Sequence, residues 1–157
     1  RHFRRQRQMC IRDRYKTLTI ELKKLMDLRI LEIASHTDNN KVIKNYTHKS
    51  KNKNPLCGDE MEISLIVEND TVKDMGYQCK SCVYCQASVS LLSRKIKDKK
   101  IDEIKTLVLN CEKLFDNVKV NIENHWKDFK EIFDKKNLSR KECLLLPIKT
   151  IAKALNL

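Results

Sequence analysis

Only two glycines and two prolines punctuate the 157 residues of this chain, so it has few places to turn sharply, and those places gather around cysteines. Pro55 and Gly58 bracket Cys57, Gly76 comes shortly before Cys82, and Pro147 lies four residues past Cys143. The densest stretch is Asn54-Pro55-Leu56-Cys57-Gly58-Asp59, which offers a thiol and a carboxylate two residues apart, just ahead of a run that reads as a strand. Gly58 permits a turn with positive φ, and Cys57 and Asp59 can then lean toward one point. Thiolate and carboxylate are both metal donors. A tetrahedral site needs four donors, so others must arrive from elsewhere in the chain, and Cys82 and Cys143 are the candidates.

Apolar periodicity supplies the frame. Leu18, Leu22, Leu25, Met26, Ile30 and Ile33 predict a helix over Thr17 to Ser35. Asp38-Asn39-Asn40 ends it, Lys41 to Thr47 reads as a first strand, and the Lys-rich stretch His48 to Lys53 reads as a loop approaching Cys57, with His48 solvated and not a ligand. Alternation over Glu62 to Glu68 and Thr71 to Gln78, with Asn69-Asp70 between them, predicts a hairpin. Cys82 then leads into a helix over Val83 to Lys97, where Ala87, Ser88 and Ser90 allow close backbone approach. The helix predicted over Ile101 to Phe115 carries Cys111 on its apolar stripe, as a core thiol. Ile122, Trp126, Phe129 and Phe133 predict another amphipathic helix, whose aromatic residues pack and do not stack on a cofactor.

Two signals compete over the last helix. Ser139-x-x-Glu142 has the form of a capping box that starts it near Arg140. Pro147 would remove the N–H that bonds the Cys143 carbonyl, which implies a later start or a kink. Either way Cys143 falls in the first turns, where free backbone N–H groups and the helix dipole favour thiolate over thiol.

Asn54 to Asp59, the hairpin, Cys82 with Ala87-Ser88-Val89-Ser90, and Arg140-Lys141-Glu142-Cys143 occur in the order in which they occur in the U-type iron-sulfur cluster assembly scaffolds, the IscU, SufU and NifU N-terminal group, and the chain resembles that family from about Tyr15 to Leu157. The resemblance implies an α+β fold with a small antiparallel sheet covered on one face by helices. It also implies an exposed metal site built from Cys57, Asp59, Cys82 and Cys143. The cysteine intervals of 25 and 61 residues are similar to those of the SufU-like branch, which is associated with zinc and with sulfur transfer from a cysteine desulfurase. The cargo implied is therefore a transient [2Fe-2S] cluster passed to apo-proteins, or Zn2+ in a sulfurtransfer partner of the desulfurase. Glu142 stands where the family has His or a basic residue before its third cysteine, and Cys79 and Ser81 stand where it tends to place glycines.

Other classes fit less well. Cys79-x-x-Cys82-x-x-Cys85 has part of a ferredoxin spacing but lacks the Cys-Pro that should follow, so Cys79 and Cys85 read as thiols flanking the site. There is no glycine-rich phosphate loop and no Ser-His-Asp set, which argues for a carrier and against an enzyme other than a sulfurtransferase. The charge of +12 suggests a zinc-stabilised nucleic-acid-binding module as the alternative class, yet the lysines are scattered and form no patch with aromatics. Part of that charge belongs to residues 1–14, which hold six of the nine arginines and include Met9-Cys10-Ile11-Arg12-Asp13-Arg14, the translation of a common transposon sequencing adapter. Setting them aside as an artefact leaves one domain over 15–157 with a charge of +7. No apolar run approaches the ~18 residues of a membrane span, and the expectation is a cytoplasmic protein whose cysteines stay reduced.

Overall fold

The computed structural model describes residues 28–115 and 124–157. Its elements in chain order are a helix over residues 28–35 (α1), strands β1 (His48–Lys53), β2 (Glu60–Glu68) and β3 (Thr71–Lys80), then helices α2 (Val83–Lys95), α3 (Ile101–Leu114), α4 (Phe129–Ile132) and α5 (Lys141–Leu155). Short 3-10 turns at Asn124–Trp126 and Lys135–Arg140 precede α4 and α5. The strands form one antiparallel sheet in the order β1-β2-β3, and helices cover one face of it, an α+β fold. Met61, Ile63, Leu65, Met75 and Tyr77 line the covered face and are buried against α2 and α5. Full burial of a large apolar side chain contributes roughly 1.5–3 kcal/mol, so this layer is a main source of stability.

The β2–β3 hairpin turns at Asn69-Asp70, where both residues have positive φ (49° and 56°), the conformation of a type I′ turn. Its strands extend two residues further toward the cysteines than the alternation predicts, to Glu60 and Lys80.

The first strand is displaced from where the sequence suggests. Residues 41–47 are irregular, and the Lys-rich stretch His48–Lys53 is the strand. It pairs with β2 from His48 opposite Leu65 to Lys53 opposite Glu60. On the outer face of the sheet Lys49 meets Glu62 at 2.7 Å and Lys53 meets Glu60 at 3.0 Å, so the lysines that suggested a loop are cross-strand ion-pair partners. Of the apolar residues that suggested a strand, Ile43 folds over Gly76 in β3, while Val42 and Tyr46 are exposed. That crossing is close. Asn39 C=O accepts from Tyr77 N–H at 3.1 Å, and a Cβ on Gly76 would stand 2.6 Å from the Lys41 carbonyl oxygen.

One helix also differs from expectation, and the start of the last is decided near Arg140. Ile122 and the other residues of 116–123 lie outside the described residues, as do Leu18 to Met26 of the first helix. Within the described part, the aromatic stretch is broken into the turn at Asn124–Trp126 and the short α4, because Phe115, Trp126, Phe129 and Phe133 pack as a cluster with centroids 5.4–5.7 Å apart in successive pairs. Helix α5 begins at Lys141 and runs through Pro147; Arg140 is its N-cap, with φ −113° and ψ 12°, and no side chain caps it. The capping-box pattern is not used, because Glu142 is drawn outward to Lys149 at 2.7 Å.

Candidate metal centre

One edge of the sheet builds the site. Lys53, Glu60 and Lys80 are paired side by side, so the loop 54–59 joining β1 to β2 and the chain leaving β3 project from the same edge. The loop is tied internally: Asn54 N–H donates to Asp59 C=O at 2.8 Å, Gly58 N–H to Asn54 C=O at 2.9 Å, and Leu56 N–H to Asn54 Oδ1 at 3.0 Å. Gly58 has φ 75°, strained for any residue with a side chain. The result lifts Cys57 into solvent and turns Asp59 inward, where it is 6% exposed.

Cys82 lies two residues past β3 and is the N-cap of α2 in an extended conformation, with no side-chain cap. Its N–H donates to Asp59 Oδ1 at 3.1 Å, so the carboxylate takes up a free donor at the α2 N-terminus. Asp59 Oδ2 is buried with no hydrogen-bond partner. Cys143, third residue of α5, completes the group: its thiol meets the Cys57 sulfur at 3.6 Å. Ser88 of α2 holds α5 in place, donating to Leu144 C=O at 2.7 Å.

The ligand-type atoms of Cys57, Asp59 and Cys143 all lie within 4.8 Å of one another. Cys82 is not in that group of three, though its backbone N–H is on Asp59 and its thiol neighbours Cys143. Burial, and then the neighbouring Cys57 and Cys82 thiols, push the Cys143 thiol well up from its ordinary value. That direction is opposite to the one the helix start suggested, because the sulfur is buried beside two other thiols. Nor is the site open on all sides, since Cys57 is exposed whereas Asp59 and Cys143 are buried.

The other sequence candidates are not part of that group. Glu142 is exposed and paired with Lys149. His48 is in β1, with its Nδ1 2.9 Å from Thr47 Oγ1. The Cys79 thiol donates to Gln86 Oε1 at 2.7 Å, Cys85 is fully buried, and burial raises both thiols. Cys111 is in the core. Two residues that hold the site together had no assigned role in the sequence: Asn54, whose signal is its place at the head of a turn, and Ser88, known only as small. The orphaned Asp59 oxygen beside two thiols, with a third thiol at the adjoining helix start, fits a thiophilic metal or metal-sulfur cargo.

The family model described as the NifU-like N-terminal domain matches residues 27–127, well over half of the chain. The chain belongs to that family. The match takes in Cys57, Asp59 and Cys82, while Cys143 lies beyond it. This NifU-like chain is 36% identical over 104 residues to the iron-sulfur cluster assembly scaffold protein IscU of Thermotoga maritima, covering 66% of this chain and 72% of that protein. It is 31% identical over 62 residues, 40% of each chain, to the zinc-dependent sulfurtransferase SufU of Bacillus subtilis. Among solved structures, the putative SUF-system scaffold of Fervidobacterium islandicum superposes with a TM-score of 0.74 at 27% identity, covering 80% of this chain and 93% of that one. The N-terminal NifU-like protein of Brucella abortus, at 21% identity, shares the fold with a TM-score of 0.72, over 82% and 90% of the two chains.

Proposed function

We propose that this NifU-like protein is an iron-sulfur cluster assembly scaffold, and that Cys57, Asp59, Cys82 and Cys143 hold its cargo. The observation that carries this reading is the convergence of Cys57, Asp59 and Cys143 within 4.8 Å at the sheet edge where Cys82 begins α2. Iron and sulfide are the substrates; a cysteine desulfurase supplies the sulfur, and apo-proteins accept the product. Three thiols give strong binding to soft metal, and the carboxylate is the weak corner from which cargo can be taken. A carrier needs that weakness. No helix among the described residues is long and apolar enough to cross a membrane.

Likeness to a zinc-dependent sulfurtransferase supports a second reading, in which the same four residues hold zinc and assist sulfur transfer. Asp59→Ala separates the two. If the cargo is a cluster, a reconstituted [2Fe-2S] species lasts longer in the variant and passes more slowly to an apo-acceptor. If the cargo is zinc, the variant loses a ligand, zinc content falls, and so does desulfurase stimulation. Metal analysis followed by an anaerobic absorption time course on both proteins decides, and identical decay in both would remove Asp59 from either role.

A further inference from the structure

Asn54 is 3% exposed, and three of its polar groups are spent on the loop it heads: the N–H on Asp59 C=O, the C=O on Gly58 N–H, and the side-chain Oδ1 on Leu56 N–H. The fourth, the Nδ2 donor, is buried and has no partner. A buried amide donor left unpaired is costly, and a Ser at this position would accept from Leu56 N–H without that cost. The amide is planar. With Oδ1 fixed inside the turn, Nδ2 is a buried orphan donor at the head of the six-residue loop that carries Cys57 and ends in Asp59, whose Oδ2 is a second buried orphan. In sequence, an unfilled donor and an unfilled acceptor thus stand on either side of an exposed thiol.

Sulfur accepts such a bond well only when it carries charge, which a thiol does not and a metal-bound thiolate does. We propose that Asn54 is a positioning residue for the cargo: its side-chain amide donates to the Cys57 sulfur when that sulfur is held as a metal-bound thiolate. This rests on Cys57 being a ligand, and it adds to that reading a group that never touches the metal. The amide withdraws electron density from the sulfur and fixes its direction, as neighbours of metal ligands commonly do.

The test uses the full chain loaded with cobalt(II), whose thiolate charge-transfer band reports the sulfur directly. Asn54→Ser keeps an acceptor for Leu56 N–H, adds no charge and removes the amide donor; Asn54→Ala removes both. For Asn54→Ser the expected result is a melting temperature without metal above that of Asn54→Ala, a charge-transfer band moved to lower energy, and loss of cobalt to a chelator about ten- to a hundredfold more readily than wild type. Asn54→Ala should in addition melt earlier without metal. A Ser variant with the wild-type band and wild-type retention overturns the proposal, and so does one that melts as early as Asn54→Ala, because the role is then only that of a turn residue. Failure of the underlying reading looks different: wild-type protein itself would show no thiolate-to-cobalt band, or Cys57→Ala would leave that band unaltered, and the proposal would fall with it.

Discussion

Burial alone does not tell a structural thiol from a functional one, since Cys111 and Cys143 are both buried. Cys111 lies among the apolar side chains of the core, whereas Cys143 faces another sulfur at 3.6 Å. Ala at Cys57, Cys82 or Cys143 should therefore abolish stoichiometric metal binding by elemental analysis, while Cys111→Ala should keep it and lose about 1 kcal/mol of stability to the small cavity. Glu142→Ala should also keep its metal, because the side chain is engaged with Lys149 at the surface, and an exposed pair of that kind is worth well under 1 kcal/mol. Tyr77 gives a pH-dependent signature. Burial chiefly, then charge on Cys79 and Asp38, pushes its phenol from 10.0 to about 12. The folded chain keeps a proton that the unfolded chain releases, so stability falls as pH rises through 10 to 12. Alkaline denaturation of metal-free protein should show this, and Tyr77→Phe should make the fall shallower. At this scale the sequence was informative where chemistry is written into residue type, as at Cys57 and Asp59 beside Gly58. It was silent on Asn54, whose role depends on which of its four polar groups finds a partner.

Elements were legible in proportion to how far local pattern decides them. The β2–β3 hairpin could be read because alternation and the Asn69-Asp70 turn agree. Strand β1 could not, because its pairing with β2 is tertiary and its lysines look like loop residues until Glu60 and Glu62 stand opposite them. The break between Trp126 and Phe129 was hidden for a similar reason: the aromatic spacing is helical, but the residues pack on one another in a cluster that a continuous helix does not provide. Gly76 shows how one small residue sets a whole element. Its missing side chain lets segment 39–43 cross β3 in contact, so Gly76→Ala forces backbone to move and should cost on the order of 1–3 kcal/mol, seen as a lower urea midpoint. Metal stoichiometry should survive, since Gly76 lies four residues inside β3 from Lys80, at which the strand ends beside the site.

Across the whole molecule the site joins three regions distant in sequence: the β1–β2 loop, the start of α2 and the start of α5. A bound metal is then a removable cross-link that exists only in the folded chain. Zinc at a thousandfold excess over its dissociation constant stabilises by about 4 kcal/mol, so the melting temperature should rise by roughly 10 °C and return on adding a chelator. Cys143→Ala should show no such rise. The three sulfurs are also unequal in their access to water, with Cys57 outside and Cys143 against the inner wall. Such a site has a rim and a floor. A protein approaching it meets the Cys57 side first and not the Cys143 side. On the scaffold reading, transfer should then quicken as acceptor concentration rises, and a chelator in solution should not intercept the cargo.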